Sequence, residues 1–132
     1  DPGDARCGVA ISDDLAMLAH PLETIDVRKG DPVARIAEIV NERSVVGVVV
    51  GVPRNMDGSF GPAAEKSRVF IEALKGKVSC RVIAWDERLT TVSAQRALRE
   101  SGRKAKDQKN IIDQAAAQII LQGWLDSQAA CG

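Results

Sequence analysis

The amino-acid sequence predicts an α/β fold in which a mixed β-sheet is flanked by helices. Two strand-like segments stand near the start of the chain, and helical and strand-like segments then alternate towards its end. Such alternation is typical of parallel strands that are joined by helices. The segment at residues 45–50 is almost entirely valine, as a strand covered on both faces requires. The 132 residues suffice for one domain, which we expect to span residues 1–132.

The first half of the chain contains an expected hairpin followed by a helix. Residues 7–12 and 22–27 read as strands on either side of a break that ends at Pro21, and we expect them to pair in antiparallel fashion. Asp31 is a residue type that caps helices, and Pro32 suits the first helical turn. A helix is therefore predicted from Pro32, and apolar residues recur after it at helical spacing.

The second half is predicted to alternate between strands and helices, and loops rich in Gly, Pro or Lys separate them. Asn110 is the expected N-cap of the last helix. The predicted elements are, in order, a strand at 45–50, a loop at 51–61, a helix from Pro62, a strand at 80–85, a helix from Thr90 or Thr91 to about residue 100, a basic connection at 101–109, and a helix to about residue 127.

Composition excludes several classes of protein. The 18 basic and 18 acidic side chains balance, which excludes a simple polycation but permits a local basic stripe for nucleic acid. Aromatic residues make up only 3% of the chain, so recognition by stacking bases on many aromatic side chains is disfavoured. No apolar run approaches the roughly 18 residues that span a bilayer. Three scattered cysteines form no zinc pattern, and we expect free thiols in the cytoplasm.

Acidic residues occur at three places where chemistry is expected. Asp1 precedes a glycine turn and a strand of small residues, although a surface Asp-Pro-Gly turn would look the same. Asp86 and Glu87 end an apolar strand, the edge of an α/β sheet at which ligands bind, although they could simply favour the start of the next helix. Strand geometry turns the two to opposite faces, and we favour Glu87 as the one that faces a site.

Asp113 is the third candidate, because it begins an otherwise apolar helical stripe that continues through Ala116, Ala117, Ile120 and Trp124. A carboxylate on such a face is costly unless it is paired, neutralised or bound to metal. The alternative is that it compensates the helix dipole or pairs with Lys109. If these acids converge, Asp1, Glu87 and Asp113 would suit Mg²⁺ or Mn²⁺, and two such ions can hydrolyse a phosphodiester bond.

Four motifs in the chain resemble those of the YqgF/RuvX family, in the family's order and over essentially the whole chain. The most specific are Val-Pro-Arg-Asn-Met-Asp-Gly at 52–58 and Asp-Glu-Arg-Leu-Thr-Thr at 86–91; the others are Asp-Pro-Gly…Arg…Gly-Val-Ala at 1–10 and Asp…Ala-Ala at 113–117. The resemblance implies a ribonuclease H-like five-stranded mixed sheet. It implies a bacterial cytoplasmic nuclease that either matures the 5′ end of pre-16S rRNA or resolves Holliday junctions. It marks Asp1, the pair Asp86 and Glu87, and Asp113 as the acidic catalytic site.

The family has an apolar strand before its first Asp, whereas this sequence begins at that residue. The first strand therefore looks truncated, and we expect further apolar residues upstream in the natural product. The expected partner is structured nucleic acid, with a homodimer possible for cutting branched DNA and no membrane association. The expected nucleic-acid contacts, some of which could equally be solvated loop residues, are Arg6, Arg54, Asn55, Arg88, Thr90, Lys104, Lys106 and Lys109.

Two other functions stay open at the level of sequence. The Asp1-x-Gly3 turn resembles the first phosphate loop of actin- and Hsp70-type ATPases, so the chain could be a nucleotide-binding module. Those proteins need two lobes, and this chain has the length of one. The other alternative is a catalytically silent protein that binds nucleic acid, against which the retained acidic residues argue.

Overall fold

A computed structural model describes residues 1–55, 57–89 and 106–131, with the side chains of residues 106–112, 130 and 131 left aside. Four strands and three helices occur in this part of the chain. They are β1 (Arg6–Ser12), β2 (Ala19–Asp26), α1 (Pro32–Arg43), β3 (Gly47–Val52), α2 (Pro62–Lys75), β4 (Arg81–Asp86) and α3 (Lys106–Cys131), with a short 3₁₀ turn at Glu87–Leu89. The helix predicted after Thr90 lies outside the described residues.

The described strands form two sheets. β1 pairs with β2 in antiparallel fashion, and β3 pairs with β4 in parallel, so both predicted pairings are confirmed. The two pairs are not hydrogen-bonded to each other in the described part of the chain, and a cavity of about 810 Å³ has both β1 and β3 in its lining. The α/β class is thus confirmed, and the single five-stranded sheet stays a prediction.

The helices cover both faces of these sheets because the strands alternate their side chains. Cys7 and Val50 face a core that α1 and α2 complete with Ile36 and Leu74. Val49 and Trp85 face the opposite side, where they pack against Ala116 and Ile120 of α3. The last helix contacts β1, β2 and β3, and so joins the two sheets.

Two element boundaries differ from the prediction. Pro21 lies inside β2 rather than before it, because the pairing with β1 shifts between Val9 and Ala10 and so leaves Leu22 as an extra residue. Proline is tolerated in strands at such irregularities and at sheet edges. Asn110 is not an N-cap, since α3 already begins at Lys106. Residues 106–109 contain no Gly or Pro that would stop the helix from starting earlier.

The start of α1 agrees with the prediction. Asp31 accepts a hydrogen bond from the Val33 backbone N–H at 3.0 Å, and Pro32 is the first helical residue. The helix ends at Arg43, and its C-cap Ser44 adopts a left-handed conformation with φ of 54°. Within the described residues, no helix is both long and apolar enough to cross a membrane.

Candidate active site

Asp1 is tied to the first strand through its backbone. Its carbonyl accepts a hydrogen bond from the Gly8 N–H at 3.1 Å, and its amino group donates to the Gly8 carbonyl at 3.0 Å. This reciprocal pair is the pattern of facing residues in an antiparallel ladder. The turn between them is tight at Gly3, where a Cβ would lie 2.6 Å from the Arg6 carbonyl oxygen. Asp1 is therefore held beside the middle of β1.

Asp113 reaches the same part of β1 from the last helix. A Cβ on Gly8 would lie 2.1 Å from the Asp113 carbonyl oxygen, so only glycine lets the helix come this close. The Asp113 side chain is nearly buried, and Arg6 donates to its Oδ2 from Nε at 2.6 Å. The alternative that Asp113 compensates the dipole at the start of the helix is wrong, because α3 begins seven residues earlier at Lys106.

Glu87 is fully buried in the 3₁₀ turn that follows β4. Its side chain lies over Gly51 of β3, where an added Cβ would be 3.3 Å from both Glu87 Cγ and Cδ. The same Cβ would be 2.6 Å from Cδ1 of Ile120, a residue of α3. Glu87 therefore lies on the side of the sheets that faces α3, the helix that carries Asp113.

Asp86 points to different partners. Arg88 donates to its Oδ2 from Nη2 at 2.7 Å, and Arg54 approaches the same oxygen at 3.5 Å. The hydrogen bond from the Arg88 side chain is the main reason that the pKa of Asp86 lies below its ordinary value. Asp86 thus has two arginine partners, whereas Glu87, in the turn that follows the strand, is buried on the side of α3.

The loop after β3 is held in place by hydrogen bonds. Asn55 donates from its backbone N–H to the Ser59 carbonyl at 2.9 Å, and its side chain donates to the Ser59 hydroxyl at 3.0 Å. Gly58 adopts a positive φ of 89°, and its carbonyl accepts a bond from Arg54. Arg54 also lies over the Phe60 ring, 4.5 Å from its centroid, and Arg68 of α2 approaches that ring at 5.2 Å.

A cavity of about 610 Å³ brings two of the acids together with basic residues. Asp1 and Asp113 both line it, and so do Arg6 and Lys66. Lys66 forms an exposed ion pair with Asp4 at 2.7 Å. Sequence reasoning missed Lys66, Phe60 and Arg68. An aromatic residue in a loop of Gly, Ser and Asn is unusual enough to have drawn attention to Phe60, whereas neither cation carries a local signal.

Oxygen ligands suit Mg²⁺ and Mn²⁺, so three carboxylates are the right kind of donor set for them. In the described conformation, however, no three acidic, His or Cys side chains among the described residues lie close enough to hold a metal ion. One oxygen of Asp113 is bonded to Arg6 instead. The chemistry of these residues therefore fits a metal site, and the described conformation does not bring three of them together.

The remaining predicted contacts are placed only in part. Thr90 and Lys104 lie outside the described residues. Lys106 and Lys109 belong to the first turn of α3, and their side chains are outside the described part. The basic run therefore leads directly into the helix that carries Asp113.

Comparison with known proteins places the chain in a family. The model of the RuvX family, described as Holliday junction resolvase, matches residues 1–127. Three similar proteins are each named "Putative pre-16S rRNA nuclease". The one from Acetivibrio thermocellus is 49% identical over 131 residues, covering 97% of this chain and 93% of the relative. That of Nocardia farcinica is 49% identical over 98% of this chain and 77% of its own length, and that of Halalkalibacterium halodurans is 43% identical over 97% and 94%. These matches show that the chain belongs to the RuvX family.

Proposed function

We propose that this protein is a metal-dependent endonuclease that hydrolyses phosphodiester bonds in structured nucleic acid. The observation that carries the proposal is that Asp113, nearly buried on α3, lines the same cavity as Asp1, whose backbone is hydrogen-bonded to Gly8 of β1. Two acids on one cavity that basic residues also line are what a nuclease of this family would need. We propose that the domain carrying this site has a ribonuclease H-like fold.

Asp1, Glu87 and Asp113 are the proposed ligands of the divalent ions, which when bound would activate water and stabilise the leaving oxygen. The chain itself contributes by positioning these carboxylates. Gly8 allows the Asp113 backbone to approach β1, and Gly51 leaves room for Glu87. Burial of both carboxylates strengthens their interaction with any cation that reaches them, because little water screens it.

The basic residues around this site are the proposed contacts to the phosphate backbone. Arg54 and Arg88 place two guanidinium groups on the carboxylate of Asp86, and Asp57 also lies close enough to interact with Arg88. Arg68 adds another cation beside Phe60. Asn55, Thr90, Lys104, Lys106 and Lys109 would extend the contact along the nucleic acid, and Lys66 would serve the cavity itself.

Structured RNA is the substrate that the relatives' names favour, and we propose processing of the 5′ end of pre-16S rRNA as the reaction. Resolution of a four-way DNA junction is the second candidate, favoured by the description of the family model. Junction resolution would require a homodimer, because two strands must be cut symmetrically. Membership of a family whose relatives carry nuclease names weighs against a nucleotide-binding module and against a catalytically silent binding protein.

The experiment offers two end-labelled substrates to the protein, a pre-16S leader RNA and a four-way DNA junction, with Mg²⁺, Mn²⁺ or EDTA. We expect specific cleavage of the RNA with either ion and none in EDTA. Glu38→Gln removes an exposed acid of α1 outside the proposed site. This control variant should cut at the wild-type rate. Cleavage of the junction alone would favour the second candidate. Cleavage that survives EDTA would contradict the metal mechanism, and no cleavage of either substrate would contradict the nuclease proposal.

A further inference from the structure

Arg6 forms an ion pair with Asp113, one of the proposed ligands of the metal ion. Arg6 Nε lies 2.6 Å from Asp113 Oδ2, and the two side chains are 27% and 5% exposed. A carboxylate this deeply buried is costly to keep charged unless a positive partner compensates it. In the structure the guanidinium of Arg6 is such a partner.

The backbones on both sides of this pair are fixed, whereas the guanidinium is not. Arg6 opens β1, and Asp113 is held against the same strand through the contact between its backbone and Gly8. Arginine has a long side chain with several rotatable bonds, and more than a quarter of this one reaches solvent. Movement at this site is therefore far easier for the Arg6 side chain than for the helix or the strand.

A divalent ion and a guanidinium compete for Asp113. Both carry positive charge, and two cations on one small carboxylate repel each other strongly where little water screens them. Among the described residues the acidic side chains do not form a cluster of three that could hold a metal ion. An ion that binds Asp113 would therefore compete with the bond that Arg6 donates to Oδ2.

We propose that Arg6 is a positioning residue that holds Asp113 in the metal-free protein, and that binding of a divalent cation exchanges the guanidinium for the ion. This inference rests on the proposed metal dependence. It adds that Arg6, a residue of the chain itself, competes with the ion for Asp113. The exchange leaves Arg6 in the cavity that Lys66 also lines, where its guanidinium is available to a phosphate oxygen of the substrate.

The direct test follows the arginine Nε–H signals of the full chain by NMR during titration with MgCl₂, with calorimetry on the same samples to measure ion binding. We expect the Arg6 signal to move towards the position of a solvated arginine and to lose protection from exchange. Arg35 is the internal control, because its Nε also donates to a carboxylate, that of Glu23, at 2.9 Å. Neither residue is a proposed ligand of the metal ion. Its signal should stay in place.

Calorimetry separates the two ways in which this test can fail. If Mg²⁺ binds and the Arg6 signal does not change, the exchange is contradicted and the proposed nuclease mechanism is untouched. If no Mg²⁺ binds, the metal dependence fails and the exchange fails with it.

Variants test the same competition without NMR. Arg6→Gln should bind Mn²⁺ about ten-fold more tightly than wild type, because a charge-assisted hydrogen bond no longer opposes the ion. Arg6→Lys keeps the positive charge and should stay near the wild-type affinity. Arg28→Gln breaks a comparable but exposed pair with Asp26 and should change nothing. Equal or weaker Mn²⁺ binding by Arg6→Gln would overturn the proposal, and if that variant does not fold, the NMR titration decides.

Discussion

Arg6 at the start of the first strand donates a 2.6 Å hydrogen bond to Asp113 in the last helix, across 107 positions of the sequence. This pair fixes how the end of the chain meets its beginning. The close contact between Gly8 and the Asp113 carbonyl also holds α3 against β1 at this point. Together they bring Asp113 to the strand that also binds Asp1 through its backbone.

Gly8→Ala tests the close approach of α3 to β1. The added methyl group would meet three backbone atoms of Asp113, the nearest at 2.1 Å, and backbone cannot rotate away as a side chain can. We expect the free energy of unfolding to fall by about 2–3 kcal/mol, measured by urea denaturation. Gly30→Ala is the control, since nothing lies within 4 Å of its added Cβ, and its effect should stay within about 0.5 kcal/mol. Equal stabilities of the two variants would show that the approach is looser than described.

Gly51→Ala tests how closely Ile120 of α3 packs against β3. Its methyl group would lie 2.6 Å from Cδ1 of Ile120, and Ile120→Val removes that atom. Ile120→Val alone should cost about 0.5–1.5 kcal/mol. The double variant should be more stable than the sum of the two single effects predicts, because the second change relieves the first. Combination with Ile39→Val, a buried change on α1, should be additive. Additivity in both combinations would contradict the described contact.

Glu87 and Asp86 should differ in their effect on cleavage. Glu87→Gln removes a buried carboxylate on the α3 side and should slow the reaction about a hundred-fold or more, as loss of a charge-stabilising group does in other enzymes. Asp86→Asn alters a residue bonded to Arg88 and Arg54 and should keep a rate within about ten-fold of wild type. The measurement is single-turnover cleavage of the same RNA. Equal losses would contradict the assignment of Glu87 as the acid in the site.

Asp86 should instead affect the dependence of stability on pH. Its folded-state pKa lies below the ordinary value of 3.8, chiefly because of the hydrogen bond from Arg88. A depressed pKa stabilises the folded state above the ordinary value, and that stability is lost as the pH falls through the folded-state pKa. Thermal melts of wild type and Asp86→Asn should therefore differ near neutral pH and converge below about pH 4. A constant difference down to pH 2 would show that the arginine contacts do not stabilise the charged form.

Local patterns in the sequence predicted the elements well where a specific residue type determines the backbone. Asp31 and Pro32 start α1 as predicted, and Pro62 opens α2. The start of α3 was missed because Asn110 suits an N-cap, although the residues before it are equally able to be helical. The sequence predicts a break at Pro21 because proline usually interrupts strands, and the bulge in the pairing of β1 with β2 that accommodates it leaves no local signal.

The sequence indicates which residues are candidates for the site, but it does not indicate how their side chains are arranged. Of the predicted helical stripe, residues 113, 116, 117 and 120 are buried as expected, whereas Trp124 is only partly buried and its neighbour Leu125 is buried instead. The partner of Asp113 could not be read from the sequence, because Arg6 is remote along the chain and no periodic pattern links the two. The packing of Glu87 over Gly51 likewise depends on the register of β3 against β4, which only the pairing of the strands determines.

The measurement that tests the central claim most directly compares cleavage by wild type and Asp113→Asn at saturating Mg²⁺. The variant keeps the shape of the side chain and removes its charge, so we expect cleavage to fall at least about a hundred-fold. Loss of the charge-assisted bond from Arg6 should lower the free energy of unfolding by about 1–3 kcal/mol. Circular dichroism at the assay temperature must therefore show that the variant is still folded. A folded Asp113→Asn protein that cuts at the wild-type rate would contradict the account, and Asp113 would then be only the structural partner of Arg6.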